Sequence, residues 1–446
     1  MNRKKFLYIF LILLSVSCHR SEIREASEED CFPPIFPDLN EVTIPPNVAP
    51  LNFLVEGGYE QLKVELTGNN GRFTQYFKGN KTRLDPSKWQ ELLHNNSGQS
   101  IFIRVFAKEQ KGWKKFRPFT ISVAREPVDD YLVYRLIMPG FQTWNNMGIY
   151  QRQMSSFKQE TIADSRLLPG TCMNCHTFLQ NDPDNMVLHL RENNSGTVLR
   201  QNQQLRKINT KSEGTFSAAG FPYWHPSGKF VAFSINKVKQ VFHSTGPVRA
   251  HAIDMNSDMA IYDVEQNEMF SSDVLMSEQA FEAFPCFSPD GGTLYFVSSK
   301  SGSLPEDQHE MKYSLCAVSF DAQTKKIGAE VDTLISAAVT GKSVSIPRIS
   351  PDGRFLMVCL FDYGNFPSYN PESDLYLLDL HTKAFYPLEL LNSPDVESYH
   401  SWSSNGRWVV FSSRRMDGLY SHIYIGYIDS DGQPRKPFLL PQKDAA

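Results

Sequence analysis

Between Leu51 and Ala124 apolar and polar residues alternate in short runs, Gln61 to Leu66, Arg72 to Phe77, Ser100 to Ala107 and Phe116 to Val123. Alternation with a period of two predicts strands that bury one face. Asn69-Asn70-Gly71 marks a turn between two of them, because Asn tolerates left-handed backbone angles and Gly takes positive φ without steric cost. The pattern breaks once, at Asp85-Pro86-Ser87-Lys88-Trp89-Gln90-Glu91-Leu92-Leu93. An Asp cap followed by Pro at the first helical position predicts a short helix there. Residues 51–125 therefore read as a small β-sandwich, serving either as a binding module or as a spacer.

The second half of the chain repeats itself. FPYWHPSGKFVAFS from Phe221, FPCFSPDGGTLYFVSS from Phe284, IPRISPDGRFLMVCL from Ile346 and YHSWSSNGRWVVFSS from Tyr399 spell one unit at offsets of 63, 62 and 53 residues. Each unit joins an apolar lead-in, a polar turn ending in Gly and an alternating strand. Pro fixes φ at the corner and Gly accepts positive φ, so the next strand doubles back in register. A further strand follows in each unit, at Asp258 to Asp263, Tyr313 to Phe320, Asp374 to Asp379 and His422 to Asp429. Repeats of this length with several strands apiece predict propeller blades, none of which buries its faces alone.

These units resemble the TolB-like, WD-type β-propeller repeats, whose marks are a Ser-Pro-Asp-Gly turn and an Asp-bounded strand containing Tyr. The resemblance runs from Phe221 to the C-terminus and implies an all-β chain, a β-propeller over 126–446 preceded by the sandwich. Four blades leave the ring about two short. The strand-like runs at Tyr131 to Ile137, Gly148 to Met154, Met186 to Leu190 and Thr197 to Gln201 are the candidates to supply them. In the fourth unit Ser404-Asn405-Gly406 replaces Pro-Asp-Gly, a drift suited to a terminal blade.

At the N-terminus, Arg3, Lys4 and Lys5 precede an apolar run from Phe6 to Val16. The run is shorter than the roughly 20 residues a spanning helix needs and suits a secretory signal. Leu14-Ser15-Val16-Ser17-Cys18 resembles a bacterial lipoprotein signal (1–18), in which Cys18 becomes the lipidated first residue; Ser15 stands where that pattern usually has an apolar residue. The resemblance implies a lipid anchor and a place in the bacterial cell envelope, periplasmic or surface-exposed, and such compartments are oxidising. Residues 19–50 read as a tether, acidic through Glu22, Glu25, Glu28, Glu29 and Asp30.

Over all 446 residues, 45 Lys and Arg face 49 Asp and Glu for a net charge of −4. With no basic stripe there is no electrostatic footprint for nucleic acid. Seven cysteines, an odd number, remain to be apportioned.

Three of those cysteines belong to motifs. Cys172-Met173-Asn174-Cys175-His176 lies between Pro169-Gly170 and Asn181-Asp182-Pro183 and reads as a loop, part of an insertion around 166–185. Composition alone yields Cys-x-x-Cys-His roughly 0.003 times in such a chain. Two thiols three apart can each add to a haem vinyl group, with the adjacent imidazole beneath the iron. The motif resembles a c-type haem attachment site, which implies one covalent haem c on Cys172 and Cys175 with His176 as axial iron ligand. A disulfide, a zinc site lacking a second Cys/His pair, and a thioredoxin-like pair lacking a βαβ setting stay open beside it.

His189, His225, His243, His251 and Met186 are candidates for the far side of the iron, and the long Lys237 to Ser257 insertion, carrying two of the histidines, is preferred. No Gly-x-Ser-x-Gly elbow and no His-Glu-x-x-His occurs, and Gly341-Lys342-Ser343 lacks the first glycine of a phosphate-binding loop. The expected function is envelope electron transfer or redox sensing with a protein redox partner. The competing reading is a non-redox scaffold that binds protein or glycan and uses the Cys-x-x-Cys-His segment structurally. Cys31, Cys286, Cys316 and Cys359 are left, the last three expected as buried apolar thiols in strands.

Overall fold

The computed structural model describes residues 23, 25–137, 146–212, 214–243 and 250–445, without the side chains of Asn174 and Ala250. The signal segment and Cys18 lie outside the described residues. Among those described, no helix is long and apolar enough to cross a membrane.

From Tyr131 onward the chain forms six successive antiparallel sheets, the blades of a β-propeller. Blade 1 has three strands, Tyr131–Ile137, Met147–Gln153 and Gln159–Asp164, and blade 2 has four, Thr171–Leu179, Asp182–Glu192, Gly196–Gln201 and Gln204–Ile208. These are the two blades the four repeats left missing, and they hold all four candidate runs. The repeats make blades 3 to 6, whose first strands are Gly220–Trp224, Ala280–Phe287, Ser343–Ile349 and Glu397–Trp402. The first strands of blades 2 to 6 touch in succession and are the inner strands of the ring.

The repeated turn works as its spelling predicts. In blade 4, Ser288 Oγ lies 2.5 Å from Asp290 Oδ1, which accepts from Gly292 N, while Thr293 N donates to Ser288 Oγ at 3.0 Å. Blade 5 repeats this with Ser350 and Asp352. The drifted blade 6 keeps it, with Asn405 Oδ1 accepting from Ser403 Oγ at 2.7 Å. An amide oxygen thus replaces the carboxylate without loss of the turn.

Each inner strand also carries a bulge. Two of its residues oppose one on the neighbouring strand at Phe221-Pro222, Phe284-Pro285, Ile346-Pro347 and Tyr399-His400. The first of each pair has positive φ, 46°, 56°, 50° and 48°, a conformation costly for bulky and β-branched side chains. Proline suits the second place because an unpaired position needs no N–H. The bulges aim large side chains at the axis: Phe221 meets Phe284 at 4.8 Å between ring centres, and both meet Phe366 near 6 Å.

Before the propeller lies one seven-stranded sheet, ordered Ala26–Glu29, Gly112–Phe116, Ser100–Glu109, Gln61–Gly68, Gly71–Lys78, with Phe119–Val123 and Thr43–Ile44 branching from it. The helix Pro86–Asn95 is capped as expected, Asp85 Oδ1 accepting from Ser87 N and Lys88 N, and buries Trp89, Leu92 and Leu93. Part of the acidic tether departs from expectation. Ala26–Glu29 pairs in parallel with Trp113–Phe116, and Glu28 meets Lys115 at 2.8 Å, so a neighbouring basic strand orders these residues. The core around Trp89 continues into blade 6 through Trp408, Ile425, Phe438 and Leu440. Trp408 Nε1 donates to Glu126 O at 3.1 Å across that junction.

Candidate functional site

Cys172, Cys175 and His176 do not lie in a loop. They belong to Thr171–Leu179, the inner strand of blade 2, paired with Asp182–Glu192. The register slips between Met173 and His176, leaving Asn174 and Cys175 opposite His189. This slip has the same form as the bulges of blades 3 to 6, so Asn-Cys stands where those blades have Phe-Pro, Ile-Pro or Tyr-His. The signal was present in the sequence as a fifth, degenerate lead-in. It was masked because the following turn is not Ser-Pro-Asp-Gly but Gln180-Asn181, two residues at φ 49° and 62°, the backbone of a tight hairpin.

Both cysteines are free thiols; Cys175 is buried and Cys172 partly so. Burial pushes the pKa of Cys172 above the ordinary thiol value, with Arg191 and Arg135 pulling it back, so the thiol is protonated at neutral pH. Cys175 faces blade 3. A Cβ placed on Gly220 would lie 3.8 Å from Cys175 Sγ, 3.9 Å from His189 Cδ2 and 2.9 Å from Arg191 Nη2. A thiol, an imidazole and a guanidinium thus converge where blade 3 offers only a glycine.

His176 is placed differently. Its cross-strand partner is Leu188, which packs with Met147, Ile149, Met173 and Leu190 on the blade 1 side, and directly paired residues share a face. The His176 ring stands edge-on to Phe178 at 6.3 Å. The fold therefore puts Cys175 and the imidazole that follows it on opposite faces of one sheet.

The candidates for the second ligand separate clearly. His189 is 1% exposed, its Nδ1 lies 3.0 Å from Thr197 Oγ1, and its Nε2 has no hydrogen-bond partner. Burial, then the Arg191 charge, push its pKa down to about 3, so the ring is neutral. His225 uses both nitrogens, on Ser227 Oγ at 2.7 Å and Gly291 O at 3.2 Å, and is wedged among Phe230, Phe287 and Phe320. Met186 is buried opposite Phe178.

The preferred pair, His243 and His251, lies elsewhere. Their rings stack with Nε2 of the first 2.7 Å from Nδ1 of the second. With Gln308, His309, Tyr363 and Glu372 they line a cleft of about 410 Å³ between insertions of blades 3, 4 and 5. Neither Cys172, Cys175 nor His176 lines it. Blade 3 reaches blade 5 beside this cleft through Asp254, whose carboxylate accepts from Asn236 Nδ2 and Asn365 Nδ2, both at 2.6 Å. Burial lifts Asp254 to about 7 and Glu282 to about 8.

Three of the remaining cysteines take the role expected of them. Cys286, Cys316 and Cys359 are buried in strands, and burial pushes Cys316 to about 11 and Cys359 to about 12. Cys31 is exposed.

Among the described residues no group of three or more His, Cys, Asp and Glu side chains is arranged to hold a metal ion. The fit to a haem therefore rests on other features. Two free thiols three residues apart, a buried imidazole with an unpartnered nitrogen beside one of them, and two guanidiniums suited to carboxylates are the donor set such a group uses. These donors do not form one site: His176 lies on the face opposite Cys175, and Cys175, His189 and Arg191 close on the position of a Gly220 side chain, leaving no cradle for a porphyrin between them.

No known family profile matches the chain, and no curated protein sequence matches it. Among solved structures it is similar to the β-propeller domain of Cps50 (Swd1) from Myceliophteria thermophila, at 10% identity and TM-score 0.40 over 74% of this chain and 93% of that one. It is also similar to an oligogalacturonate lyase from Vibrio parahaemolyticus, at 11% and 0.37 over 68% and 88%. A third is the β-propeller domain of the Trilobed protease from Pyrococcus furiosus, at 11% and 0.35 over 76% and 80%. At these values nothing about activity passes to this chain, and its assignment as a six-bladed propeller stands on its own sheets.

Proposed function

We propose that this chain is an exported, lipid-anchored propeller protein of the bacterial cell envelope that carries one covalent haem c on blade 2 and serves in electron transfer or redox sensing. Cys172 and Cys175 would hold the haem through thioethers, and His176 is the ligand the motif itself implies. When bound, the haem supplies one-electron exchange with a protein partner. The reading draws its support from the free thiols at Cys-x-x-Cys-His spacing, with the unpartnered nitrogen of His189 beside them. Arg191 and Arg135 near Cys172 suit the propionates. In the same reading the lipid rides on Cys18, and the N-terminal unit is a small β-sandwich that spaces the propeller from the membrane.

A second reading has one observation in its favour. Because Asn174-Cys175 occupies a bulge that recurs in four other blades, the segment has a structural role without any cofactor. The chain would then be a non-redox scaffold for a protein or glycan. Expression with a haem-maturation system followed by a pyridine haemochrome spectrum separates the two. A c-type spectrum that disappears in the Cys172→Ser, Cys175→Ser variant is expected. A colourless wild-type protein made beside a correctly matured control cytochrome rules the haem reading out.

A further inference from the structure

We propose that the cleft between blades 3, 4 and 5 binds a neutral oligosaccharide, at a site separate from blade 2 that stands whichever reading of that blade is correct. In blade 2 the second and third strands are joined by Asn193-Asn194-Ser195 alone. In blade 3 the same hairpin is drawn out along Phe230–Phe242 and Ala250–Asp263, and in blades 4 and 5 the connection runs over residues 301–313 and 362–373. A hairpin closes with about two to five residues. The extra length in three adjacent blades builds the walls of one cleft, as loops on a rigid scaffold do.

The walls are tied to one another. Gly364 N donates to Met311 O at 2.7 Å, joining blade 5 to blade 4, and Asn365 Nδ2 donates to Asp254 at 2.6 Å, joining blade 5 to blade 3. Phe366 lines the cleft and is anchored in the aromatic cluster at the axis. A cleft held in shape by the fold spares its ligand the cost of ordering it. Its volume of about 410 Å³ suits a small-molecule site.

The lining selects the ligand. Tyr363 and His309 stand edge to face with ring centres 4.3 Å apart, and Tyr369 adds a further ring. The side-chain polar atoms of Gln308, Glu372 and Tyr363 make no hydrogen bond or ion pair among the described residues. His243 and His251 bond to each other through one nitrogen each and leave the other to a ligand. Burial, then His243 and His309, push the pKa of His251 down, so its ring is neutral at neutral pH. Among the described residues no Lys or Arg lines the cleft, and Asp362 is already paired with Lys342. A phosphate or carboxylate ligand would thus meet Glu372 and no cation. A hydrocarbon would bury these polar groups without replacing their bonds to water. Sugar hydroxyls both donate and accept, and the C–H face of a sugar ring lies against an aromatic one.

The test is isothermal titration calorimetry of the full chain with gluco-, manno- and xylo-oligosaccharides, and with oligogalacturonate as the acidic counterpart. At least one neutral oligosaccharide is expected to bind and oligogalacturonate not to. Tyr363→Ala and Gln308→Ala are each expected to weaken binding about tenfold. Should Tyr363→Ala fold poorly, Gln308→Ala, which removes no hydrogen bond of the fold, decides alone. The Cys172→Ser, Cys175→Ser variant is expected to bind as wild type does, so loss of haem and loss of this site are told apart. Binding of no neutral oligosaccharide, preference for oligogalacturonate, wild-type affinity in the cleft variants, or lost affinity in the cysteine variant would each overturn the proposal.

Discussion

The inner strands of blades 2 and 4 share one register slip and carry two chemistries. Each slips register by leaving two residues opposite one. In blade 4 the slip carries Phe284 and Pro285, and Phe284, 2% exposed, packs into the aromatic cluster at the axis. In blade 2 the same slip carries Asn174 and Cys175, and the neighbouring strand answers with a buried histidine instead of the Phe296 found in blade 4. The bulges of blades 3 to 6 demand tolerance of positive φ and an unneeded N–H. Phe284 takes that positive φ at a cost in strain, whereas blade 2 makes the same register slip with Asn174 and Cys175.

The sharpest test of that contrast removes both thiols. Cys172→Ser with Cys175→Ser is expected to abolish all covalent haem in matured protein while leaving the thermal transition within a few degrees of wild type, by haem staining and calorimetry. The corresponding change in blade 4 should do the reverse. Phe284→Ala leaves a cavity among Phe221, Phe366 and its neighbours, and is expected to cost about 3–5 kcal/mol in denaturant unfolding with haem content unchanged. If both variants lost haem and stability together, the two bulges would not be separable in role.

A third prediction concerns pH. Burial disfavours the charge on Glu282 and Asp254 and lifts them to about 8 and about 7, from ordinary carboxylate values of 4.5 and 3.8. Between about pH 4.5 and 8 the unfolded state has released protons that the folded state still holds, so stability falls as pH rises. Glu282→Gln is expected to raise stability at pH 8 by an amount on the order of 1–2 kcal/mol and to flatten the decline, in melts across that range. The smallest effect is expected from Cys175→Pro, which gives blade 2 the residue of blades 3 to 5. It should fold with a change in melting temperature of only a few degrees, because the bulge leaves that N–H outside the ladder, and yet lose the second thioether.

The four repeated blades were legible because their turns are spelled in Ser, Pro, Asp and Gly, residues whose side chains make the turn's own hydrogen bonds. Even Asn405 in blade 6 could be read, since it does the work of the aspartate. Blades 1 and 2 showed only as isolated strands. Blade 2 turns on Gln180-Asn181 and Asn202-Gln203, and no periodicity ties Tyr131–Ile137 to Thr171–Leu179. The cysteine motif was visible by spacing alone, but spacing says nothing about faces. A loop would let Cys175 and His176 point the same way, whereas a strand sends neighbours to opposite sides. Nor does spacing show that His189 stands across from the bulge, which only the register reveals. His243 and His251, the preferred pair, line a cleft with residues of blades 4 and 5 that none of Cys172, Cys175 and His176 borders.

The strand Ala26–Glu29, stitched to the sheet by Trp113–Phe116 and by Glu28 with Lys115, sets the length of a leash. With the lipid on Cys18, the chain up to Ala26 spans no more than about 28 Å fully stretched. That is close to the thickness of a bilayer's hydrocarbon core. In the proposed lipid-anchored reading the body would thereby stay near the lipid surface, where a soluble redox partner would come to it and a membrane-bound one would lie within reach.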